Sequence, residues 1–407
     1  MNTKFNTNSN IPKLRFPEFS GNHPKKKLGE IFFKKQERNK NDEIKNVLTN
    51  SAVEGIVNQQ DFFDKEIANQ NNLTNYFVVD VDDFIYNPRI SRFAPVGPLK
   101  RNTLQRGIMS PLYTVLQPKV GNLSYLESYF KTKKWHKYMY KVANYGARHD
   151  RMNILNNDFM KLSVPFPSLP EQQKIASFLE SIDSYINNLK SQKESLEEYK
   201  KGMMQKIFAQ EIRFKDENGQ NFPDWQEEKL GEFIQERKEY SVKEKGYPHI
   251  SLTTQGVVPK SARYNRDFLV GDDEIKKYRV TRLNDLCYNP ANLKFGVISI
   301  NKLGVGIFSP IYVTFEIVDQ DIDFVGYYLI RNEFVNKARR YEQGTVYERM
   351  AVSPADFMKV KVAFPSLPEQ QKIASFLGSL DDQIELKAQQ IEKAEEWKKG
   401  LMQGLFV

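Results

Sequence analysis

The 407-residue sequence predicts an α+β protein: two tandem domains separated by two long antiparallel coiled-coil helices, the whole an internal pseudo-two-fold repeat. Three observations support this. A 14-residue run occurs twice, each copy opens a heptad pattern, and the stretches ahead of the two copies are broken into short strand-like runs.

The repeat comes first. Phe166-Pro-Ser-Leu-Pro-Glu-Gln-Gln-Lys-Ile-Ala-Ser-Phe-Leu179 returns letter for letter at Phe364 to Leu377, an offset of 198 residues. The match thins but continues in both directions. Downstream, Lys200-Lys-Gly-Met-Met-Gln205 answers Lys398-Lys-Gly-Leu-Met-Gln403. Upstream, Lys27-Leu-Gly-Glu30 answers Lys229-Leu-Gly-Glu232, and Gly107-Ile-Met-Ser-Pro-Leu-Tyr113 answers Gly306-Ile-Phe-Ser-Pro-Ile-Tyr312. A period near 200 residues is far too long for a stacked solenoid, so each half must be a domain with an appendage.

The appendage is helical. Proline suits the first turn of a helix and a carboxylate there complements the dipole, so Pro170-Glu171 and Pro368-Glu369 read as helix starts. Beyond them apolar residues alternate by three and four: Ile175, Leu179, Ile182, Ile186 and Leu189, then Ile373, Leu377, Leu380, Ile384 and Ile391. That is a coiled-coil seam. About 33 residues of helix span about 50 Å. Two such helices in one chain can pair, and must run antiparallel if the halves sit at opposite ends. Two unrelated amphipathic helices, each packed on its own domain, are the alternative. Met203-Met204 and Leu401-Met402 look like helix-end core.

The divergent parts, roughly 1–163 and 209–361, read as α+β. Tyr76–Val79, Phe84–Tyr86, Leu112–Leu116, Gly296–Ile300 and Ile311–Phe315 are β-branched and aromatic and are bounded by Gly, Pro and Asn. Helical stretches are expected near 124–143 and 323–341. One scaffold with two divergent sets of loops suggests two different recognition surfaces.

Composition narrows the function. The chain carries 60 Lys+Arg against 51 Asp+Glu. The excess is local: residues 1–170 hold 26 basic and 15 acidic groups, whereas 209–368 hold 23 of each. A domain at +11 attracts polyanions, nucleic acid first and an anionic membrane surface second, although solubility alone would also explain it. No apolar run approaches the roughly 18 residues of a spanning helix, and the polar opening residues lack a signal peptide's apolar core, so a cytoplasmic location is expected. One cysteine, Cys287, excludes an internal disulfide, and four scattered histidines give no zinc spacing, so no metal is expected.

The repeated Phe-Pro-Ser-Leu-Pro-Glu-Gln-Gln-Lys-Ile-Ala, opening a long helix at the end of each half, closely resembles the conserved regions of type I restriction-modification specificity subunits. The Lys-Leu-Gly-Glu opening of each variable part does too, and the resemblance spans essentially the whole chain. It implies target-recognition domains at 1–165 and 211–363, a central conserved region with the first spacer helix at 166–210, and a distal one with the second at 364–407. Each domain would read one half of an asymmetric, bipartite double-stranded DNA site. The paired helices would act as spacer and dock two adenine-N6 methyltransferase subunits, which use S-adenosylmethionine. Motor-nuclease subunits, using ATP with Mg, would complete the restriction complex. This chain itself would bind no cofactor.

Several motifs are missing from the sequence, which argues against catalysis. An adenine methyltransferase needs Asn/Asp-Pro-Pro-Tyr/Phe to hold a flipped base, and the nearest runs, Tyr86-Asn-Pro-Arg89 and Tyr288-Asn-Pro-Ala291, lack the second proline. No Gly-x-x-x-x-Gly-Lys-Ser/Thr phosphate loop occurs. Gly304-Val-Gly306 reads as a strand turn, and Asp272-Asp-Glu-Ile-Lys276 as ordinary charge rather than a nuclease cluster. A coiled-coil adaptor with a non-specific basic DNA-binding domain is the competing function; it predicts binding without sequence preference.

Candidate DNA contacts lie in loops where the halves differ. Tyr145-Gly-Ala-Arg-His-Asp-Arg151 and Gln343-Gly-Thr-Val-Tyr-Glu-Arg349 precede the helices, offering Arg148, His149 and Arg151, then Thr345, Tyr347 and Arg349. Arginine forks onto guanine or clamps phosphate, the commoner use. For Arg151 and Arg349 a structural salt bridge is the alternative. Lys34, Lys35 and Arg38 add basic groups, with a solvated face as alternative. Arg89 and Arg92 have no counterpart in Ala291-Asn-Leu-Lys294. Thr253, Thr254 and Gln255 replace Ala52, Val53 and Glu54. Arg339 and Arg340 form a local cluster in the neutral second domain. Tyr-Asn-Pro at 86–88 and 288–290 is expected to close a strand.

Overall fold

The two long helices run Leu169–Phe208 and Leu367–Leu405, 40 and 39 residues, each beginning one residue before its proline. At about 1.5 Å per residue each is about 60 Å long, longer than the sequence pattern implied. The computed structural model describes residues 10–62, 70–144, 150–242, 246–260, 277–344 and 350–407. The chain divides into two compact units, residues 1–191 with 388–407 and residues 192–387.

Each unit therefore holds the opening turns of one long helix and the closing turns of the other, and the helices run antiparallel. In the first unit Lys398 pairs with Asp183, and Lys190 with Glu395 at 2.6 Å. In the second, Lys200 meets Asp381 at 2.5 Å, and the Tyr327 hydroxyl donates to the same carboxylate at 2.6 Å. The pairs Asp183–Lys398 and Asp381–Lys200 are copies of each other. Lys200 and Lys398, one repeat apart, thus serve as partners between the two helices.

The seam is also domain core. Ile175, Leu179, Ile182 and Ile186 share one apolar cluster with Leu28, Phe84, Tyr125, Leu405 and Phe406, while Ile373 and Leu377 join Leu230, Phe315, Phe324 and Phe208. Leu189 and Leu380 are buried; Ile384 and Ile391 are half-buried. Each fully buried Leu or Ile contributes about 1.5–3 kcal/mol.

The repeated Pro-Glu-Gln has a second role besides starting a helix. Glu171 is buried and accepts both arms of the Arg15 fork at 2.8 Å, with His23 Nε2 at 3.0 Å. Glu369, also buried, takes Arg213 at 3.1 and 2.7 Å. Gln172 and Gln370 donate to the carbonyls of Pro167 and Pro365 and accept from the backbone N–H of Asn122 and Asp321. Each helix is thereby tied to its own domain.

The two domains repeat one topology. In the first, an antiparallel four-stranded sheet runs Phe32–Lys35, Thr114–Pro118, Phe84–Tyr86, Leu99–Arg101. In the second the order is Ile234–Glu236, Val313–Ile317, Leu286–Tyr288, Ile298–Ile300. The expected single helices are each two. Leu123–Lys131 stops where the Thr132 hydroxyl and N–H both donate to Tyr129 O, and His136–Val142 follows. Ile322–Leu329 stops near Arg331, whose guanidinium donates to Tyr328 O, and Asn332–Arg339 follows. The hairpins Leu48–Ser51/Gly55–Asn58 and Ile250–Thr253/Gly256–Pro259 turn at glycines with φ of 83° and 103°.

Candidate nucleic-acid interface

Two of the basic residues singled out in the first half, Lys34 and Arg151, line one concavity, and two more, Arg38 and Arg89, contact residues of its wall. A cavity of about 410 Å³ is lined by Lys34, Phe77, Tyr113, Arg151, Asn153 and Asn156, among others. Lys34 reaches it from the first strand of the sheet, where burial lowers its pKa. Arg38 lies over the Phe77 ring at 5.3 Å. Arg89 and Arg151 form an isolated β-bridge, reinforced by Ile90 N–H donating to Asp150 O and Met152 N–H to Pro88 O.

The Tyr-Asn-Pro run is what turns the chain there. Asn87 Oδ1 accepts from Arg89 N–H at 3.0 Å while its amide donates to Asn50 O, and Tyr86 hydroxyl donates to Val96 O. Asn289 accepts likewise from the N–H groups of Ala291 and Asn292. Arg89 and Arg92 stand exposed beyond the turn, Arg92 over the Phe93 ring at 4.5 Å. Arg151 is forked onto the neighbouring Asp150 carboxylate at 3.2 and 3.4 Å, which holds the Asp150 pKa below its ordinary value.

Lys35 has a different setting. Burial opposes its charge, but the carboxylates of Asp80 and Asp83 outweigh that and raise its pKa. Its counterpart Arg237 forks onto buried Asp285 at 2.9 and 3.1 Å. The recurrence of this pair in both domains marks it as scaffold. Neither Asp83 nor Asp285 stands out in the sequence as a partner.

On the sheet edge the halves invert their chemistry. Lys34 sits opposite Leu116 and Glu236 opposite Phe315, one sheet position in two domains. Glu236 is held by Arg279 at 3.2 Å and Lys238 at 3.5 Å. In the first domain Arg38 lies on Phe77; in the second the ring and the cation trade places, and Arg279 lies on Tyr240 at 4.8 Å.

The remaining second-half candidates are more scattered. Thr254 and Gln255 are exposed at the hairpin tip, whereas Thr253 is nearly buried and its hydroxyl donates to Gly256 O and accepts from Gln255 N–H. The first hairpin's tip is one residue longer. Arg339 is bonded to Glu342 at 3.0 Å, and Arg340 is exposed at the helix end. Arg148, His149, Thr345, Tyr347 and Arg349 lie outside the described residues. Phe77, Tyr113, Asn153 and Asn156 carry no sequence signal that marks them as cavity wall. Among the described residues, no helix is long and apolar enough to cross a membrane and no cluster of three His, Cys, Asp or Glu side chains could hold a metal ion.

The pattern described as "Type I restriction modification DNA specificity domain" matches twice, at residues 23–198 and 223–396. The chain is 28% identical over 306 residues to a protein of Methanocaldococcus jannaschii named for the type I restriction enzyme MjaX specificity subunit, covering 70% of this chain and 66% of that one. It is 25% identical to the type I restriction enzyme MjaVIII specificity subunit of the same organism, over 74% of each. In fold it is similar, at TM-score 0.56 and 16% identity over 94% of this chain and 96% of the other, to a chain solved in work on complex assembly and conformational transition of the type I R-M system. With two copies of the domain filling most of its length, the chain belongs to the type I restriction-modification DNA specificity family.

Proposed function

We propose that the chain reads an asymmetric bipartite DNA site, one half per unit, and positions adenine-N6 methyltransferase subunits on it. As a specificity-family member it recognises DNA rather than catalysing a reaction. The observation that carries the asymmetry is the exchanged sheet edge: one topology places Lys34 and Arg38 in one domain and, in the other, Glu236 tied to buried Arg279, with Tyr240 under that guanidinium. Identical readers would require a palindromic site, and these two are not identical. The domains are assigned to 1–165 and 211–363, with 166–210 and 364–407 as conserved helical regions.

In the first half Lys34, Arg38, Arg89, Arg92, Arg148, His149 and Arg151 are assigned to DNA, with Lys35 acting through the scaffold. In the second half Thr254, Gln255, Arg339, Arg340, Thr345, Tyr347 and Arg349 are assigned, with Thr253 shaping the hairpin tip. Most of these cations would meet phosphate, which fixes register, and a few would reach base edges. Tyr199 and Trp397 support methyltransferase docking on the helices: they occupy the same repeat position and are 53% and 54% exposed, as large aromatic interface anchors are before binding. S-adenosylmethionine would be held by the methyltransferase subunits, and ATP with Mg by motor-nuclease subunits.

The test is genome-wide mapping of N6-methyladenine in cells carrying this chain with its methyltransferase, against cells lacking only this chain. A bipartite asymmetric motif that vanishes with the chain is expected. Methylation that persists unchanged would reject the assignment and favour an adaptor.

A further inference from the structure

The first unit carries a basic surface that the candidate contacts above do not use. Lys133 and Lys134 sit in the turn leading into the helix His136–Val142, and Lys137 and Lys141 lie one turn apart along it, about 6 Å in rise. All four are exposed. Among the described residues no carboxylate comes within 4.0 Å of any of these ammonium groups, whereas neighbouring Lys131 is paired with Glu127 at 2.8 Å. The far end of this track meets the cavity rim: just past Lys141, Asn144 N–H donates to the carbonyl of Asn153, a cavity-lining residue.

The second unit has the same two helices with three of the four lysine positions uncharged or acidic, and a cation kept only at the last. Buried Trp135 corresponds to buried Phe334, and buried Met139 to buried Ala338. In that register Lys133, Lys134, Lys137 and Lys141 become Asn332, Glu333, Asn336 and Arg340, all exposed. A solvated face needed for solubility alone would have no reason to be confined to one copy.

We propose that Lys133, Lys134, Lys137 and Lys141 form a phosphate-tracking surface, present only on the first unit, that grips the DNA backbone alongside the first half-site without reading bases. The proposal rests on the DNA-binding assignment above. It makes the first unit the electrostatic anchor: most of the salt dependence of binding originates there, and the second unit adds discrimination.

The experiment uses the full chain complexed with its methyltransferase subunits and a random-sequence DNA duplex titrated from low to moderate salt. Each phosphate contact contributes about 0.9 to the slope of log K against log salt. Replacing three lysines, Lys133→Gln, Lys137→Gln and Lys141→Gln, should reduce the slope by about 2.7 and weaken binding about 500-fold at 0.1 M salt, leaving the methylated sequence unchanged. The reciprocal pair Asn332→Lys and Asn336→Lys should steepen it by about 1.8. An unchanged slope in the glutamine variant, with the unsubstituted complex binding normally, would overturn the proposal and leave the DNA-reading assignment standing. No duplex binding by the unsubstituted complex would overturn both.

Discussion

Removing Glu171 tests how the first long helix is held. The carboxylate is nearly inaccessible, and Glu171→Ala strands the Arg15 guanidinium, 14% exposed, and the His23 imidazole, 1% exposed, whose Nδ1 already has no partner. Breaking a buried ion pair from one side costs about 3–5 kcal/mol. The orphaned histidine donor adds about 1 kcal/mol, so Glu171→Ala should sit at the upper end. Glu369→Ala deprives only Arg213, 22% exposed, which keeps Asp224 at 3.3 Å and the carbonyls of Phe222 and Pro223, and should sit at the lower end. The assay is amide hydrogen exchange on the full chain, read segment by segment. At about 1.4 kcal/mol per tenfold, a loss of 4 kcal/mol speeds exchange several hundredfold. The effect of Glu171→Ala should fall on 169–191 and 388–407, which share a unit, and spare 367–387. Replacing the pair together, Arg15→Met with Glu171→Met, should recover most of the loss. Less than tenfold acceleration, or equal acceleration in both long helices, would refute the anchoring role.

Four further outcomes follow from the structure. Burial holds the His23 pKa below its ordinary value, against the pull of Glu171; the folded state therefore resists the proton, and stability should fall as pH drops below about 6.5, a slope that His23→Gln should flatten in pH-dependent melting. Burial pushes the Cys287 thiol up to about 12, with its sulfur against Thr281 Oγ at 3.3 Å; a thiol reagent should label it only as fast as the second unit opens, and rapid labelling of the native chain would contradict this packing. Arg89→Ala and Arg151→Ala should each weaken binding by about 1–3 kcal/mol, and competition among duplexes separates phosphate contacts, lost equally on every sequence, from a base contact, which relaxes one position. Inserting four residues near Glu194 should change the separation of the half-sites and leave each sequence intact in methylation mapping; altered half-site sequences would rule out a helical ruler.

The architecture was legible because it is written twice. A run of identical residues at a fixed offset, with apolar spacing of three and four, specifies two matching helices almost without regard to their surroundings. What the pattern could not carry is partnership at long range. Glu171 reads as a dipole-complementing first-turn residue, yet its partner Arg15 lies 156 residues away, a distance no local pattern bridges. Lys35 and Lys34 are adjacent and chemically alike; only the pleat, turning one toward buried Asp83 and the other toward the cavity, separates scaffold from candidate contact. The cavity itself gathers Phe77, Tyr113 and Asn156 from a strand, a turn and a short helix, and side chains that meet only in three dimensions leave no trace in sequence order.

The way each unit shares both long helices also sets an order of assembly. Phe406, packed against Tyr125 and Tyr129 in the core of the first unit, is translated only after every residue of the second unit. The 196 residues of the second unit are translated in between, which takes about 10–40 s at ordinary synthesis rates. The second unit thus has its whole sequence before the first does, and the first domain waits, with an unfilled apolar slot, for residues 388–407 to arrive. A nascent chain of this kind depends on being shielded through that interval, and a ribosome that stalls late yields a molecule whose older domain is the unfinished one.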